Sequence, residues 1–312
     1  MKPNSTRQLR LTGDASVASA EPASNSSRTN PTHQHQAMLK ARVITALFLL
    51  AGLLSAVFLL PAFGWLVFVS VVCGAAAAEW GGIVGFSVVR RRVYALLLGF
   101  ICLAGGLVAG LNREETVAPF SLVPVYAVSA LFWILCAPFW LRARWALSGS
   151  GASAIVGVVL LLPPSLAMAH LRLLSPWLLL GVMAAVWVAD IAAYFTGRAF
   201  GRRKLAPSIS PGKSWEGAYG AVVGVVIYGL LCLSFTGHGT TDAGTIAVIV
   251  GALVAFTAIS IMGDLFESML KRQAGVKDSG TLLPGHGGIL DRIDSLTSTL
   301  PFAGLLVLWF AR

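Results

Sequence analysis

Nine runs of mostly apolar residues, each near 20 residues long, divide the chain after residue 42. An α-helix rises ~1.5 Å per residue, so a run of this length crosses the roughly 30 Å hydrocarbon core of a bilayer. The runs cover residues 43–61, 63–80, 93–111, 120–140, 152–170, 177–196, 217–235, 244–263 and 295–311. Backbone in lipid must satisfy its hydrogen bonds internally. We therefore predict an all-α, polytopic integral membrane protein with about nine transmembrane helices.

The composition agrees with this class. Charged residues make up 12% of the chain, against about 25% in soluble domains, which excludes an ordinary cytosolic enzyme. The net charge of +10 would suggest nucleic acid in a soluble protein. Here the basic residues lie between apolar runs and indicate topology and contact with anionic membrane lipid, so no nucleic-acid partner is expected. All four cysteines fall in apolar runs without a Cys-x-x-Cys spacing, which argues against a disulfide framework or zinc site.

Two segments depart from the regular pattern. Residues 1–40 are polar and rich in Ser, Thr, Asn and Gln, so we predict a disordered tail before a transmembrane domain at 41–312. A regulatory or lipid-docking arm is the alternative for this tail. The run at 152–170 contains Pro163-Pro164, which predicts a kinked or re-entrant helix.

The basic residues orient the nine runs. With residues 1–40 placed in the cytoplasm, 20 Lys and Arg side chains fall on the cytoplasmic side and 3 on the other. The positive-inside rule therefore predicts a cytoplasmic N-terminus. Most acids follow the same sidedness, and ionisable groups near the ends of apolar helices are functional candidates. The acids predicted near the cytoplasmic face are Glu79, Asp190, Glu216, Asp264, Glu267, Asp278, Asp291 and Asp294.

The densest group of charged residues lies between the last two runs. Asp264 ends the eighth run, and Asp291 and Asp294 begin the ninth. If these helices are an antiparallel pair, the three carboxylates meet at one membrane depth, and a hard cation such as Mg²⁺ gives them a reason to coexist. Four nearby cations could pair with phosphate oxygens. They are Lys271, Arg272, Lys277 and Arg292.

A glycine-rich loop completes this stretch. The loop 285–288 can turn backbone N–H groups toward an anion at the start of a helix. His286 could be a ligand, a base, or a residue that packs the loop or contacts phosphate. Together these residues indicate metal-assisted nucleotidyl or phosphoryl transfer. The alternative is that the acids and bases form only interfacial salt bridges and helix caps.

A second polar segment follows the sixth run. Asp190 lies inside that run, and Lys213 lies in the loop 209–217 that precedes the seventh. Lys213 is a candidate phosphate contact, and Ser214 and Glu216 are candidate caps of the next helix. A hydrogen bond to a neighbouring helix would also explain Asp190.

These residues resemble a known family, the phosphatidate cytidylyltransferases or CDP-diacylglycerol synthases. The signature matches without a break over 27 residues: Ser268-x-Leu270-Lys271-Arg272-x₄-Lys277-Asp278-x-Gly280-x₂-Leu283-Pro284-x-His286-Gly287-Gly288-Ile289-x-Asp291-Arg292-Ile293-Asp294. The segment 209–217 is similar to the family's second motif, although Gly212 stands where the family more often has a first lysine and Ser214 where it has threonine. The resemblance is closest over residues 180–300, which it marks as the catalytic region.

The resemblance implies a function in phospholipid biosynthesis, in which CTP and phosphatidate give CDP-diacylglycerol and pyrophosphate with Mg²⁺. It implies that Asp264 and Asp291 bind the metal, with K⁺ sharing the site, and that the protein is a homodimer in the inner (plasma) membrane with its active site facing the cytoplasm. From the residue pattern and the resemblance together, we predict that the catalytic residues are Asp264, Asp291, Lys271, Arg272 and Lys277. The predicted substrate-binding residues are Asp190, Lys213, Ser214, Asp278, His286, Gly287, Gly288, Arg292 and Asp294.

Three other functions fit parts of the pattern. A lipid kinase that uses CTP would need the same cations and metal, and release of CDP instead of pyrophosphate would identify it. A CDP-alcohol phosphotransferase would need an Asp-Gly pair followed by Ala-Arg on one helix, which the sequence lacks. A transporter would have charges near the bilayer midplane and inverted repeats, whereas these charges lie at one face.

Overall fold

The computed structural model describes residues 31–114, 119–147, 149–235, 242–283 and 287–310, with side chains from residue 43. Contacts divide the chain into Met1–Lys40 and Ala41–Arg312. The helices are α1 (Pro31–Leu59), α2 (Ala62–Ile83), α3 (Val88–Val108), α4 (Val123–Leu131), α5 (Ala137–Ala143), α6 (Ser150–Leu174), α7 (Pro176–Phe200), α8 (Trp215–Phe235), α9 (Ala243–Gln273) and α10 (Leu290–Phe310). A 3₁₀ turn, Phe120–Leu122, precedes α4, and a π-helical turn, Phe132–Cys136, joins it to α5.

The predicted architecture, an all-α polytopic membrane protein, is confirmed. Among the described residues, eight helical segments are long and apolar enough to cross a membrane, counting 120–143 as one. The first predicted run falls in α1, whose apolar part Val43–Leu59 is shorter. The count of nine spans therefore stays a prediction.

The predicted tail, residues 1–40, overlaps the start of α1. Residues 1–30 lie outside the described residues, whereas residues 31–40 belong to α1. The physical reason is local. Pro31 suits the first helical position, and the sequence from Ala37 to Ala41 contains good helix formers that continue into the apolar run.

Helix α6 runs unbroken from Ser150 to Leu174 with both Pro163 and Pro164 inside it, so the re-entrant alternative is wrong. Side chains add hydrogen bonds in the turn that contains both prolines. The Ser165 hydroxyl and the Cys73 thiol both donate to the Leu161 carbonyl, at 2.7 Å and 3.8 Å. Partners from the same and neighbouring helices are what make proline tolerable in a membrane helix.

The core lies where α2 packs against α3 and α6. The Trp80 indole is buried and donates to the Ser153 carbonyl at 2.9 Å. Gly157 makes this approach possible, because a Cβ there would overlap the indole of Trp80 and the hydroxyl of Tyr94. Small residues at such contacts let membrane helices pack closely.

The contacts place the connecting segments at two ends of the bundle. At one end, Gln273, the last residue of α9, donates to the carbonyl of Arg144 after α5 at 3.2 Å. At the other end, Arg172 near the end of α6 donates to the carbonyl of Val57 near the end of α1 at 3.0 Å. We call the first end, which also holds Glu79, Asp264 and Asp291, the site end. The helices therefore alternate in direction, as the nine-run pattern predicts.

A short β-hairpin stands between α7 and α8. Strand β1 (Lys204–Ala206) pairs antiparallel with β2 (Ser210–Ser214), with Lys204 opposite Ser214. The Glu216 carboxylate in the first turn of α8 accepts hydrogen bonds from the backbone N–H groups of Arg202 and Arg203. These bonds tie the base of the hairpin to the helix that follows it.

Candidate active site

A cavity of about 440 Å³ opens at the site end, between α7, the hairpin, α8 and α9. Its walls are partly apolar, with Leu205 from β1 and Ile261 from α9. The polar groups that line it are Asp190, Tyr194, Arg198, Ser210, Lys213, Ser214 and Asp264. Pockets that bind small molecules have this character, an apolar body with a few convergent polar groups.

An ion pair between Lys213 and Asp264 crosses this cavity. The hairpin delivers Lys213 from β2, while Asp264 comes from α9, and the Ser268 hydroxyl donates to its second oxygen at 3.2 Å. Each of the paired side chains is about a quarter exposed, with 26% for Lys213 and 25% for Asp264. The pair is therefore accessible to a ligand in the cavity.

Ser214 fixes the start of α8 beside this pair. Its buried hydroxyl accepts from the Gly217 N–H at 3.1 Å, which is the cap that the sequence predicts. Gly217 in turn packs on α7, since a Cβ there would lie 2.9 Å from the Ala193 carbonyl oxygen. Ser214 thus positions the cavity wall through a hydrogen bond that is already made.

A second cluster forms around Lys271. Its ammonium contacts Asp291 Oδ1 at 2.6 Å and Glu267 Oε1 at 3.0 Å, and all three side chains are at most 10% exposed. The other oxygen of Asp291 accepts from the backbone N–H groups of Ser279 at 2.9 Å and Gly288 at 2.8 Å. Asp291 therefore ties the loop before α10 to the start of that helix.

The two clusters meet where α9 and α10 cross. The helices are antiparallel here, because the Ser298 hydroxyl donates to the Ile259 carbonyl while Asp291 pairs with Lys271. Asp294, on α10, interacts electrostatically with Asp264, Asp190 and Glu267. The three aspartates of the last two runs thus gather at one end, as predicted.

The charges of the first cluster fit a hard cation. Asp190, Asp264 and Asp294 repel one another and share Lys213 as a counter-charge. Carboxyl oxygens of this kind are the ligands that hard divalent ions prefer. Among the described residues, however, no group of three or more His, Cys, Asp and Glu side chains is arranged to hold a metal ion. Asp291 fits less well than Asp264, because both of its oxygens already have partners.

Several predicted site residues lie outside both clusters. Arg272 donates to the Val276 carbonyl at 3.3 Å, and Lys277, Asp278 and Arg292 are exposed. They surround the Lys271 cluster without joining it. Gly287 has a positive φ of 80° and bridges to Leu283, which closes the loop. His286 lies outside the described residues.

Two acids join the site that the sequence did not mark as site residues. Glu267 pairs with Lys271 one helical turn away, and its position midway between Asp264 and Lys271 could have signalled this. Glu79, on α2, accepts hydrogen bonds from Ser279, Ile289 and Leu290. The one signal in the sequence for this role was that Glu79 is predicted to lie near the same membrane face as the other acids.

Comparison with known proteins gives one family. Residues 40–310 match the cytidylyltransferase family. The chain is 42% identical over 283 residues to a phosphatidate cytidylyltransferase of Pseudomonas aeruginosa, which covers 86% of this chain and 97% of that protein. It is 37% identical to the phosphatidate cytidylyltransferase of Haemophilus influenzae, over 85% of this chain and 97% of the relative. A Brucella suis phosphatidate cytidylyltransferase is 50% identical over 130 residues, 42% of this chain and 45% of that protein.

Proposed function

Because this chain belongs to the cytidylyltransferase family, we propose that it is a phosphatidate cytidylyltransferase, which converts CTP and phosphatidate to CDP-diacylglycerol and pyrophosphate. The observation that carries the proposal is the Lys213–Asp264 pair, set in a cavity with both apolar and charged walls. A cavity of this kind can receive a lipid phosphate and a nucleotide at the membrane surface.

The chemistry requires two anions to meet. A phosphate oxygen of phosphatidate attacks the α-phosphorus of CTP, and the bond from that phosphorus to the bridging oxygen breaks as pyrophosphate leaves. The phosphatidate oxygen is already ionised, so little base catalysis is needed. The residues must instead reduce repulsion and align the attack. We assign the phosphate contacts to Lys213 in the cavity and to the exposed cations Arg272, Lys277 and Arg292 of the signature.

The same proposal includes dependence on Mg²⁺, with K⁺ as a second cation. Asp264 and Asp291 would hold the metal, and the nearby carboxyl groups of Asp190 and Asp294 support the choice of Asp264. Bound Mg²⁺ supplies charge neutralisation for phosphate oxygens and the leaving group. Lys213 and Lys271 pair with these two carboxylates, so a bound metal ion would share or replace those contacts.

We further propose that the active site faces the cytoplasm from the inner membrane and that the protein is a homodimer. CTP is a soluble anion and phosphatidate is anchored in the bilayer, so the two can meet only at a membrane surface. The excess of basic residues predicted on the cytoplasmic side supports this orientation.

The decisive experiment follows both products together. The full-length protein in detergent receives labelled CTP, phosphatidate and Mg²⁺, and label in the lipid phase is measured beside pyrophosphate release. Equal amounts of both support cytidylyl transfer, whereas release of CDP in place of pyrophosphate identifies a lipid kinase. Omitting Mg²⁺ or K⁺ tests each cation in the same assay.

Variants at the two aspartates test the assignment of the site. We expect Asp264→Ala or Asp291→Ala to lower turnover by ~100–1000-fold, the usual effect of losing a preorganised electrostatic group. Both variants should still insert into the membrane. Wild-type turnover by the Asp264→Ala, Asp291→Ala double variant would refute the assignment.

A further inference from the structure

Glu79 is a fully buried acid on α2, far in sequence from the predicted catalytic region. Its side chain is 0% exposed, and its carboxylate accepts three hydrogen bonds, one from Ser279 and two from the start of α10. The Ser279 hydroxyl donates at 2.8 Å, the Ile289 N–H at 3.0 Å and the Leu290 N–H at 2.8 Å. The two N–H groups belong to the start of α10, where a helix has no backbone acceptors of its own.

Ser279 extends this contact to Asp291. Its hydroxyl donates to Glu79 and accepts from the Asp291 N–H at 3.3 Å, while its own N–H donates to Asp291 Oδ2 at 2.9 Å. Asp291 in turn holds Lys271 at 2.6 Å. A continuous path therefore runs from Glu79 through Ser279 and Asp291 to Lys271.

Two glycines of the motif are shaped to the Glu79 carboxylate. A Cβ on Gly280 would lie 2.6 Å from Glu79 Oε1, and one on Gly288 would overlap both the Glu79 carboxylate and the Ser279 hydroxyl. Any side chain at these positions would push the segment away from α2. The close approach of backbone to Glu79 thus explains glycine at both places.

We propose that Glu79 is a positioning residue for the reaction, which fixes Ser279, Ile289 and Leu290 so that Asp291 and Lys271 hold their arrangement. This inference rests on the proposed function. A purely structural Glu79 would change how much protein folds, whereas a positioning Glu79 changes the turnover of each folded molecule. Misplacement of a reacting group by about 1 Å, even from a distant change, can lower the rate by ~100-fold.

The test compares Glu79→Gln and Glu79→Asp with Glu114→Gln, an exposed acid outside both clusters. The Gln side chain has one acceptor oxygen, so it cannot receive three donors, whereas Asp keeps two oxygens on a shorter stem. We expect kcat per folded molecule to fall by about 100-fold in Glu79→Gln and to recover partly in Glu79→Asp. The KM for CTP should change much less, and Glu114→Gln should match the wild type.

Two further readouts test the path from Glu79 to Asp291 directly. Hydrogen exchange in the peptide that contains Ile289 and Leu290 should be faster in Glu79→Gln, because the two amides bind different oxygens of Glu79 and glutamine keeps only one of them. In a double-mutant cycle, Glu79→Gln should lower kcat less when Ser279 is already alanine, because the path to Asp291 is then broken.

The outcomes separate the two proposals. Wild-type kcat in folded Glu79→Gln, or unchanged exchange at Ile289 and Leu290, would overturn the role of Glu79 while the wild type still makes CDP-diacylglycerol. A wild-type protein that makes no lipid product would overturn the proposed function itself.

Discussion

Two lysines at the site each pair with an aspartate, but their surroundings differ. The Lys213 side chain is 26% exposed and faces the cavity, whereas that of Lys271 is 10% exposed and contacts two acids. A partly solvated pair contributes little to stability, while breaking a buried pair leaves an uncompensated charge. The same substitution should therefore have different consequences at the two positions.

At Lys213, substitution by Met should remove activity and keep the fold. We expect turnover to fall on the order of 100-fold, because a cation facing the transferred phosphate is lost. Thermal unfolding in detergent should shift little, since such pairs contribute about 0–1 kcal/mol. Lys204→Met, an exposed change in the paired strand, is the control. Full activity in Lys213→Met would contradict the placement of substrate in this cavity.

At Lys271, the same substitution should lower stability as well. Lys271→Met leaves Glu267 and Asp291 buried without their shared cation, which typically costs about 3–5 kcal/mol. We expect a clearly lower unfolding midpoint in detergent than for Lys213→Met. Equal midpoints for the two variants would show that the Lys271 cluster does not support the fold.

At the scale of the element, the sequence predicts where helices lie better than where they end. The eighth run was expected to stop at residue 263, but α9 continues to Gln273. The apolar run ends at the first charged residue. The helix continues beyond it because Glu267 and Lys271 pair with each other inside the bundle. The pairing of α9 with α10 was predictable from their order. The contacts that set the distance between the two helices were not predictable, because they depend on backbone atoms.

Gly263 sets that separation. A Cβ there would lie 2.5 Å from Ser298 Oγ and 2.9 Å from the Asp294 carbonyl oxygen. We expect Gly263→Ala to push α10 away beside Asp264, costing about 1–3 kcal/mol as overpacking does, and to lower turnover. Gly251→Ala, in the same helix with open space around it, is the matched control.

Thermal unfolding and turnover are measured together for the two glycine variants. Gly263→Ala, Ser298→Ala should recover part of both losses, because the closest obstructing atom is removed. Equal behaviour of Gly263→Ala and Gly251→Ala would contradict the tight crossing.

At the scale of the molecule, hydropathy predicts the number and order of helices but not which of them are neighbours. For this reason the predicted catalytic region, residues 180–300, does not include Glu79, although the sequence predicts that this acid lies near the cytoplasmic face. Its role depends on α2 lying beside the loop before α10, about two hundred residues later. The signature motif contains Lys271 and Asp291, and Asp264 lies four residues before it, so one short stretch of sequence indicated all three, whereas the partner from α2 required the fold.

The alternation of the helices leads to a topological prediction for the whole molecule. The contact between Gln273 and Arg144 places the end of α9 and the segment after α5 on one side, and the excess of basic residues predicts that this side is cytoplasmic. Single cysteines at exposed positions test this, with Cys136 and Cys232, the exposed native thiols, first changed to alanine. A membrane-impermeant maleimide should label Arg113→Cys in intact spheroplasts, and Ala146→Cys and Val276→Cys only after permeabilisation. The reverse labelling pattern would show that the protein is inserted in the opposite orientation, with its site on the side of the membrane where CTP is absent. Labelling of positions 146 and 276 from opposite sides would contradict the fold itself. These positions lie close to Arg144 and Gln273, whose hydrogen bond cannot cross a bilayer.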